Sequence, residues 1–383
     1  MTNHELTYWV TLALMPKIWT RRKNDIYIKC YTHSPRISIV DLFEDASIWD
    51  EIGLTQEEIV LFRNAYSQLA NNSFLVEDLL SQGYDILPIH SDDYPPMLKE
   101  NLKAGAPTVI FTKGNKLLLK ETSVAIVGSR KADDVSLKFT HNVAKGASAT
   151  QKVVVSGFAK GVDRQALDSA LDSGGKSIIV LPQGIMTFSS GFKQYYKHII
   201  QGRVLVMSSF APKAPWSKEF AMARNPVIYG MASEIYVAQS DNKGGTWSGV
   251  IDGLRKNRRI CVRFPESGEK NANIELIAKG AVAVDIYGAE CVDASVEISG
   301  ADKTKIVNIQ VEDDVNARII RLMSNGGTFG LKEIRSHLMV EYSDAKLRNI
   351  MDSIPDVRKL KQGRRNLYCL ESSLPNELTI DFA

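Results

Sequence analysis

Cysteine is scarce in this chain. Cys30, Cys261, Cys291 and Cys369 lie far apart and form no Cys-x-x-Cys pair, which excludes a disulfide framework and points to a reducing compartment. Histidine is as sparse: His4, His33, His90, His141, His198 and His337 show no metal-ligand spacing, so no metal is expected. No apolar run approaches the roughly 20 residues needed to cross a bilayer. The short apolar stretch Trp9–Met15 follows acidic Glu5 and precedes Arg21-Arg22-Lys23, the wrong order for a signal peptide. The expected location is therefore the cytoplasm, with no membrane partner. Neither sign of charge dominates, since 47 Lys and Arg meet 44 Asp and Glu for a net +3. A polycation is excluded, and any nucleic-acid surface has to come from local clustering of basic residues. Gly-x-x-x-x-Gly-Lys-Ser/Thr is absent, as is Gly-x-Gly-x-x-Gly after a strand, which argues against a Walker-type ATPase and a dinucleotide redox cofactor. No Ser/His/Asp or Cys/His arrangement stands out. The chain reads as a binding protein without a cofactor rather than an enzyme.

What is present divides the 383 residues into parts. Residues 1–85 read as a helical N-terminal domain. Thr55 with Glu58 is a capping-box pattern ahead of the periodic Ile59, Phe62 and Leu69, and Leu75, Leu79 and Leu80 suggest a second helix that ends at Gly83. Pro88, Pro95, Pro96 and Pro107 then punctuate a linker-like segment. From Val124 the texture changes to short β-branched and apolar runs: Val124–Val127, Val153–Val155, Ser177–Leu181, Val204–Met207, Ile235–Ala238, Ile260–Val262 and Val282–Val284. Continuous apolar runs are the mark of strands buried on both faces. Separated mostly by helix-length segments, they predict an α/β fold with a mainly parallel, Rossmann-like sheet over about 86–290.

Residues 291–312 read as a polar linker, and 313–383 as a winged-helix-like domain. Helices are expected over Val315–Met323, Leu331–Leu338 and Ser343–Ile354, then strands at Arg358–Leu360 and Asn366–Leu370 about the turn Gln362-Gly363. Arg358, Lys359, Lys361, Arg364 and Arg365 gather on that hairpin against the single acid Asp356, which suits contact with a nucleic-acid backbone.

In an open parallel sheet, ligands bind in the loops at the carboxyl ends of strands. After the first buried run comes Gly128-Ser129-Arg130, offering close backbone approach, a hydroxyl and a guanidinium fork. After the second comes Ser156-Gly157-Phe158-Ala159-Lys160-Gly161-Val162-Asp163, leading into a helix whose free N–H groups suit an anion. Asp163 is expected to cap that helix. A third cradle, Lys243-Gly244-Gly245-Thr246-Trp247-Ser248-Gly249, follows Val237-Ala238, and Arg224 and Asn225 lie upstream where they could reach the same ligand. Core packing is the expectation for Phe158, Phe188, Tyr195 and Tyr196. Trp247, set among glycines, is the candidate for stacking on a base.

Five blocks in order carry a resemblance: Val124–Arg130, Ser156–Leu171, Lys176–Gly184, Arg224–Gly230 and Gly244–Gly249. Together with Asp93-Tyr94-Pro95, Pro107–Asn115 and Asn273–Val284, they resemble the DNA-processing protein A family, also called Smf, over about 85–290. The resemblance implies an extended Rossmann fold that binds single-stranded DNA in a basic pocket. It also implies a homodimer, and a role in loading a RecA-type recombinase during DNA uptake and recombination. Gly128, Ser129, Arg130, Ser156, Gly157, Gly161, Asp163, Arg224, Asn225 and Gly245 fall on the motif positions, and Lys160 where a basic or polar residue is usual. Leu167 replaces the family's histidine, Pro226 its arginine, and Gly244-Gly245-Thr246-Trp247 its usual loop. Two other readings stay open. One is a sensor of a nucleotide signal in the same pocket, working in defence or mobile-element biology. The other is a nucleoside-monophosphate hydrolase of the Lonely-Guy type, of which Gly244-Gly245-Thr246 is reminiscent, although Asp252 is the nearest acid and no glutamate follows.

Overall fold

The computed structural model describes residues 1–266, 268–291, 319–320, 322–323, 328–338, 342–354, 357–362 and 365–370. Contacts gather Met1–Val307 into one compact unit and Asn308–Ala383 into a second.

The first unit opens with helices α1 (Asn3–Leu14), α2 (Thr20–Thr32), α3 (Asp41–Glu44), α4 (Gln56–Tyr66) and α5 (Leu69–Ser81). The Thr55–Glu58 capping box starts α4 as its sequence predicts, and a second box, Thr2 with Glu5, starts α1. Leu69 opens α5 rather than closing α4. Trp9, Leu12, Phe62 and Leu79 join one continuous apolar cluster with sheet residues such as Ile86 and Ile110.

The proline-punctuated segment is not a linker. It forms β1 (Asp85–Pro88), α6 (Pro96–Leu102) and β2 (Val109–Gly114). Each proline sits where it costs nothing: Pro88 ends an edge strand, where no inner ladder bond is lost, and Pro96 takes the first turn of α6, where its missing N–H would be unused.

Beyond β2 the strands alternate with helices: β3 (Ser123–Val127), α7 (Asp134–Ala149), β4 (Val153–Ser156), α8 (Val162–Asp172), β5 (Ser177–Val180), α9 (Ser189–Ile200), β6 (Val204–Ser208), α10 (Lys218–Met231), β7 (Glu234–Val237), α11 (Gly245–Arg255), β8 (Ile260–Arg263), α12 (Asn273–Ala278) and β9 (Val282–Val284). Among the described residues the sheet order is β1-β2-β6-β5-β4-β3-β7-β8-β9. From β6 to β9 every neighbouring pair is parallel; β1 and β2 extend the sheet antiparallel from β6. The seven apolar runs are these seven parallel strands. β3, β4, β5 and β6 are buried at every position, as helices on both faces require.

In the second unit a three-stranded sheet has the order Phe329–Gly330, Arg365–Leu370, Val357–Gln362, with both pairings antiparallel. Helices Leu331–Leu338 and Asp344–Ser353 accompany it, the latter capped by Ser343. Its core gathers Ile319, Met323, Ile334, Leu347, Met351 and Tyr368. Of the expected helix Val315–Met323, the described residues 319, 320, 322 and 323 are helical, and the rest lies outside the described residues. The expected linker 291–312 also lies outside them, apart from Cys291.

Candidate functional site

Strand β3 is flanked by β4 on one side and β7 on the other. The chain leaves β3 in one direction through β4, β5 and β6, then returns to lay β7 on the other side, so the loops after β3 and β7 part company. A crevice opens at such a switch point, at the carboxyl ends of the strands. Here it is a cleft of about 520 Å³, lined by the loops after β3 and β7 together with Asp163, Trp216, Lys218, Arg224 and Asn225.

The loop after β3 is held by its own backbone. The Ser129 N–H donates to the Gln239 carbonyl at 2.9 Å, and the Ser129 hydroxyl accepts from the Lys131 N–H at 3.0 Å. Gly128, Ser129 and Arg130 line the cleft, with Arg130 exposed. Gly161 packs against this loop at φ +80°, and a Cβ there would lie 2.5 Å from the Ser129 carbonyl. Glycine is required on both counts.

The loop after β4 departs from expectation at several residues. Ser156 is fully buried and donates its hydroxyl to the Ile126 carbonyl at 2.6 Å, tying β4 to β3 rather than meeting a ligand. Gly157 is buried too, and a Cβ on it would overlap the Arg224 guanidinium and the Asp163 carboxylate. Its role is to let those two groups pass beneath the loop. Asp163 is not the cap of α8; that position is Gly161, with no side-chain cap. Lys160 is exposed and does not line the cleft.

Arg224 forms the floor. It is 4% exposed, and one Nη donates to the Val180 carbonyl at 3.2 Å at the end of β5. The other lies 3.7 Å from Asp163 Oδ2, an ion pair too long for a hydrogen bond. Its Nε has no partner. Burial pushes the Asp163 carboxyl above the ordinary carboxylate range, opposed by Arg224, and burial lowers the Arg224 guanidinium, opposed by Asp163. The floor is thus a desolvated, incompletely paired cation. Asn225 is half-buried and donates from Nδ2 to the Gly245 carbonyl at 3.3 Å, joining α10 to α11.

On the far wall, Lys243 is exposed and Gly244, at φ +96°, begins α11 without a side-chain cap. The N–H groups of its first turn, Gly245, Thr246 and Trp247, have no intrahelical acceptor. Gly244, Gly245 and Thr246 line the cleft, but Trp247 does not: it is half-buried against the core. The exposed aromatic of the cleft lining is Trp216, 52% exposed, with Lys218 two residues on, whereas Tyr229 lines it from a buried position. Trp216 comes from the loop after β6 and Lys218 from the first residue of α10, a stretch with no glycine motif to mark it. Phe158, Phe188 and Tyr195 pack edge-to-face on one another, whereas Tyr196 is exposed.

Arg130, Lys131, Lys218 and Lys243 are all exposed along the cleft, and none is in an ion pair among the described residues. The cleft's carboxylates are Asp163, facing Arg224, and the exposed Asp241. No group of three His, Cys, Asp or Glu residues among the described residues could hold a metal. Burial pushes the thiols of Cys30, Cys261 and Cys291 up to about 11. The arrangement can hold anions by charge, backbone N–H groups and one aromatic face.

Residues 85–293 match the family described as DNA recombination-mediator protein A. This chain belongs to that family. Among its relatives, DNA processing protein DprA of Streptococcus pneumoniae is 34% identical over 177 residues, covering 45% of this chain and 62% of that protein. DNA processing protein DprA of Bacillus subtilis is 27% identical over 207 residues, covering 53% and 69%. The chain thus spans less than two thirds of the first of these. The X-ray structure of DNA processing protein A from S. pneumoniae superposes with a TM-score of 0.58 at 26% identity, covering 74% of this chain and 95% of that one. The expected family and fold class are borne out.

Within the family frame, the three departures are structurally quiet. Leu167 is fully buried in the core, and Pro226 lies inside α10 on an exposed face. The Gly244–Trp247 loop starts α11. On the hairpin of the second unit, Arg358, Lys359 and Lys361 are exposed. Arg365 opens its strand opposite Gln362, and Arg364 lies outside the described residues. No helix among the described residues is long and apolar enough to cross a membrane.

Proposed function

We propose that this protein binds single-stranded DNA in the cleft between the loops after β3 and β7, tracking phosphates without reading sequence and without performing chemistry on the strand. One observation carries the reading: four exposed, unpaired cations line a cleft at the sheet's switch point, above the buried, under-bonded Arg224. Their partner has to be anionic and extended. The groove does not stop at Lys243, because an adjoining depression of about 370 Å³ continues past it to Lys270 and Asn271. Asp241 and Glu275 also line that depression, so it adds length rather than net positive charge, and a groove that continues suits a polymer better than a single small nucleotide. Trp216 supplies the stacking face such sites use. Asp252, the first acid downstream of the glycine loop, is spent on Lys256 along α11 and lies outside the cleft, which favours binding over hydrolysis. The family's link to recombination makes a RecA-type recombinase the partner to test and a homodimer the assembly to test, in the cytoplasm. The basic hairpin of the second unit supplies a further backbone contact in this reading.

The test is the affinity of a fluorescent oligo-dT across a salt series, for wild type and for Arg130→Ala with Lys243→Ala. The slope of log K against log salt is expected to fall by about 0.7 for each phosphate contact removed. Trp216→Ala is expected to weaken binding by about 1–3 kcal/mol at all salt concentrations, as loss of one stacked base would. Equal affinity and slope in wild type and the double variant would sink the reading.

A further inference from the structure

A second cavity, of about 660 Å³, lies away from the cleft. It is enclosed by α2, by Arg36 beyond it, by Ile89 and His90 after β1, and by Lys99 and Lys103 at the end of α6. Its inner wall is aromatic. His90 stacks on Trp9 with ring centres 4.5 Å apart at 22°, Tyr27 stands 5.5 Å from His90, and Tyr31 lies 6.1 Å beyond Tyr27. Its rim is cationic. Arg36 lies 4.0 Å over the Tyr31 ring, and Arg36, Lys99 and Lys103 are exposed with no ion pair among the described residues. The lining contains no carboxylate.

The polar groups inside sharpen this. Asn24 is satisfied by the protein, donating to the Ala104 and Ala106 carbonyls at 2.8 and 2.7 Å and accepting from Thr108. The Nδ1 of His90 and the hydroxyl of Tyr27, by contrast, are buried with no hydrogen-bond partner among the described residues, although the Arg36 guanidinium approaches the Tyr27 hydroxyl. A buried polar atom without a partner costs about 1–3 kcal/mol. Burial, and then Arg36, hold the His90 imidazole below its ordinary range and so neutral at pH 7, when a ring nitrogen can exchange a hydrogen bond with a neutral group.

We propose that this cavity is a second ligand site, taking a planar aromatic ring that carries phosphate, as a nucleotide does. The ring lies against Tyr27 and Tyr31 with its edge toward His90, and the phosphate meets Arg36, Lys99 and Lys103. The same chemistry is offered by a free nucleotide and by one nucleotide of a strand.

The experiment measures fluorescence anisotropy of N-methylanthraniloyl-AMP, with unlabelled AMP and adenosine as competitors, and separately of a fluorescent oligo-dT. The proteins are the full chain, Arg36→Ala with Lys99→Ala, Tyr31→Ala, and the cleft variant Arg130→Ala with Lys243→Ala. All of these side chains are exposed, so folding is expected to survive, with thermal melting as the check. AMP should compete better than adenosine, and the Arg36/Lys99 variant should lose at least about tenfold in affinity while the cleft variant keeps it. A loss confined to AMP identifies a free nucleotide as the ligand; a loss of oligo-dT affinity identifies the strand. If the Arg36/Lys99 and Tyr31 variants leave both affinities unchanged, or only the cleft variant loses AMP, the site does not exist. Because the cleft variant is scored in parallel, failure here is distinct from failure of the DNA reading.

Discussion

The loops after β4 and β7 are alike in sequence: each brings two glycines and a lysine to the start of a helix with no side-chain cap. They do different work. In the first, Gly157 makes room for protein, since the space a Cβ would take is filled by Arg224 and Asp163, and Lys160 is exposed outside the cleft lining. In the second, nothing lies within 4 Å of a Cβ built on Gly244, and Lys243 lines the cleft. Glycine density alone therefore does not mark a ligand cradle. What distinguishes the two is whether a buried pair already occupies the space.

The strongest way to break this comparison is to disrupt the pair. Arg224→Met leaves Asp163 buried without its counter-charge, and the variant is expected to lose about 3–5 kcal/mol in urea unfolding at pH 7. The pH dependence has a definite sign. The folded-state pKa of Asp163 is raised, and more so without Arg224. In the window from the ordinary carboxylate range up to that raised value the folded state binds more protons than the unfolded chain, so stability falls as pH rises. The deficit of the variant should shrink on acidification; a deficit independent of pH would mean that Asp163 is not the group left buried and unpaired. A smaller effect separates the glycines. Gly157→Ala should cost about 1–3 kcal/mol by overpacking, whereas Gly245→Ala, which meets only the movable ends of Asn225 and Met222, should stay within about 0.5 kcal/mol. Equal losses would erase the distinction. The smallest effect is on binding: Lys160→Ala should leave the salt slope for oligo-dT unchanged, while Lys243→Ala alone lowers it by about 0.7.

Much of this was legible beforehand, for stated physical reasons. Seven strands could be read because burial on both faces demands unbroken apolar runs, and Val153–Val155 or Ile178–Val180 leave no other use for such residues. β1 and β2 were hidden by prolines that mark a sheet edge as readily as a linker. Gly128, Arg130, Lys243 and Gly244 were found because strand-to-helix turns at the switch point advertise themselves. Trp216 and Lys218 were missed since they reach the cleft from the end of the loop after β6 and the start of α10, across the fold, and only Ser217, which caps α10 through the Phe220 N–H, hints at a defined turn there. Ser156 and Trp247 were misplaced for one reason: sequence shows what a loop contains but not which way each side chain faces.

The order of the strands also governs when the cleft can come into being. Ser123 at the start of β3 accepts the hydroxyl of Ser233, 110 residues further on, and the pairing of β3 with β7 waits on that return. The same connection, α10, carries Arg224. A chain extended only as far as β6 thus holds the first two loops but neither the far wall nor the cation beneath them. Closure of such a distant contact is a slow, late event in folding. Binding competence then arrives with the joining of β7 to β3, and a chain that stops short of it lacks the far wall and the cation needed to hold a strand.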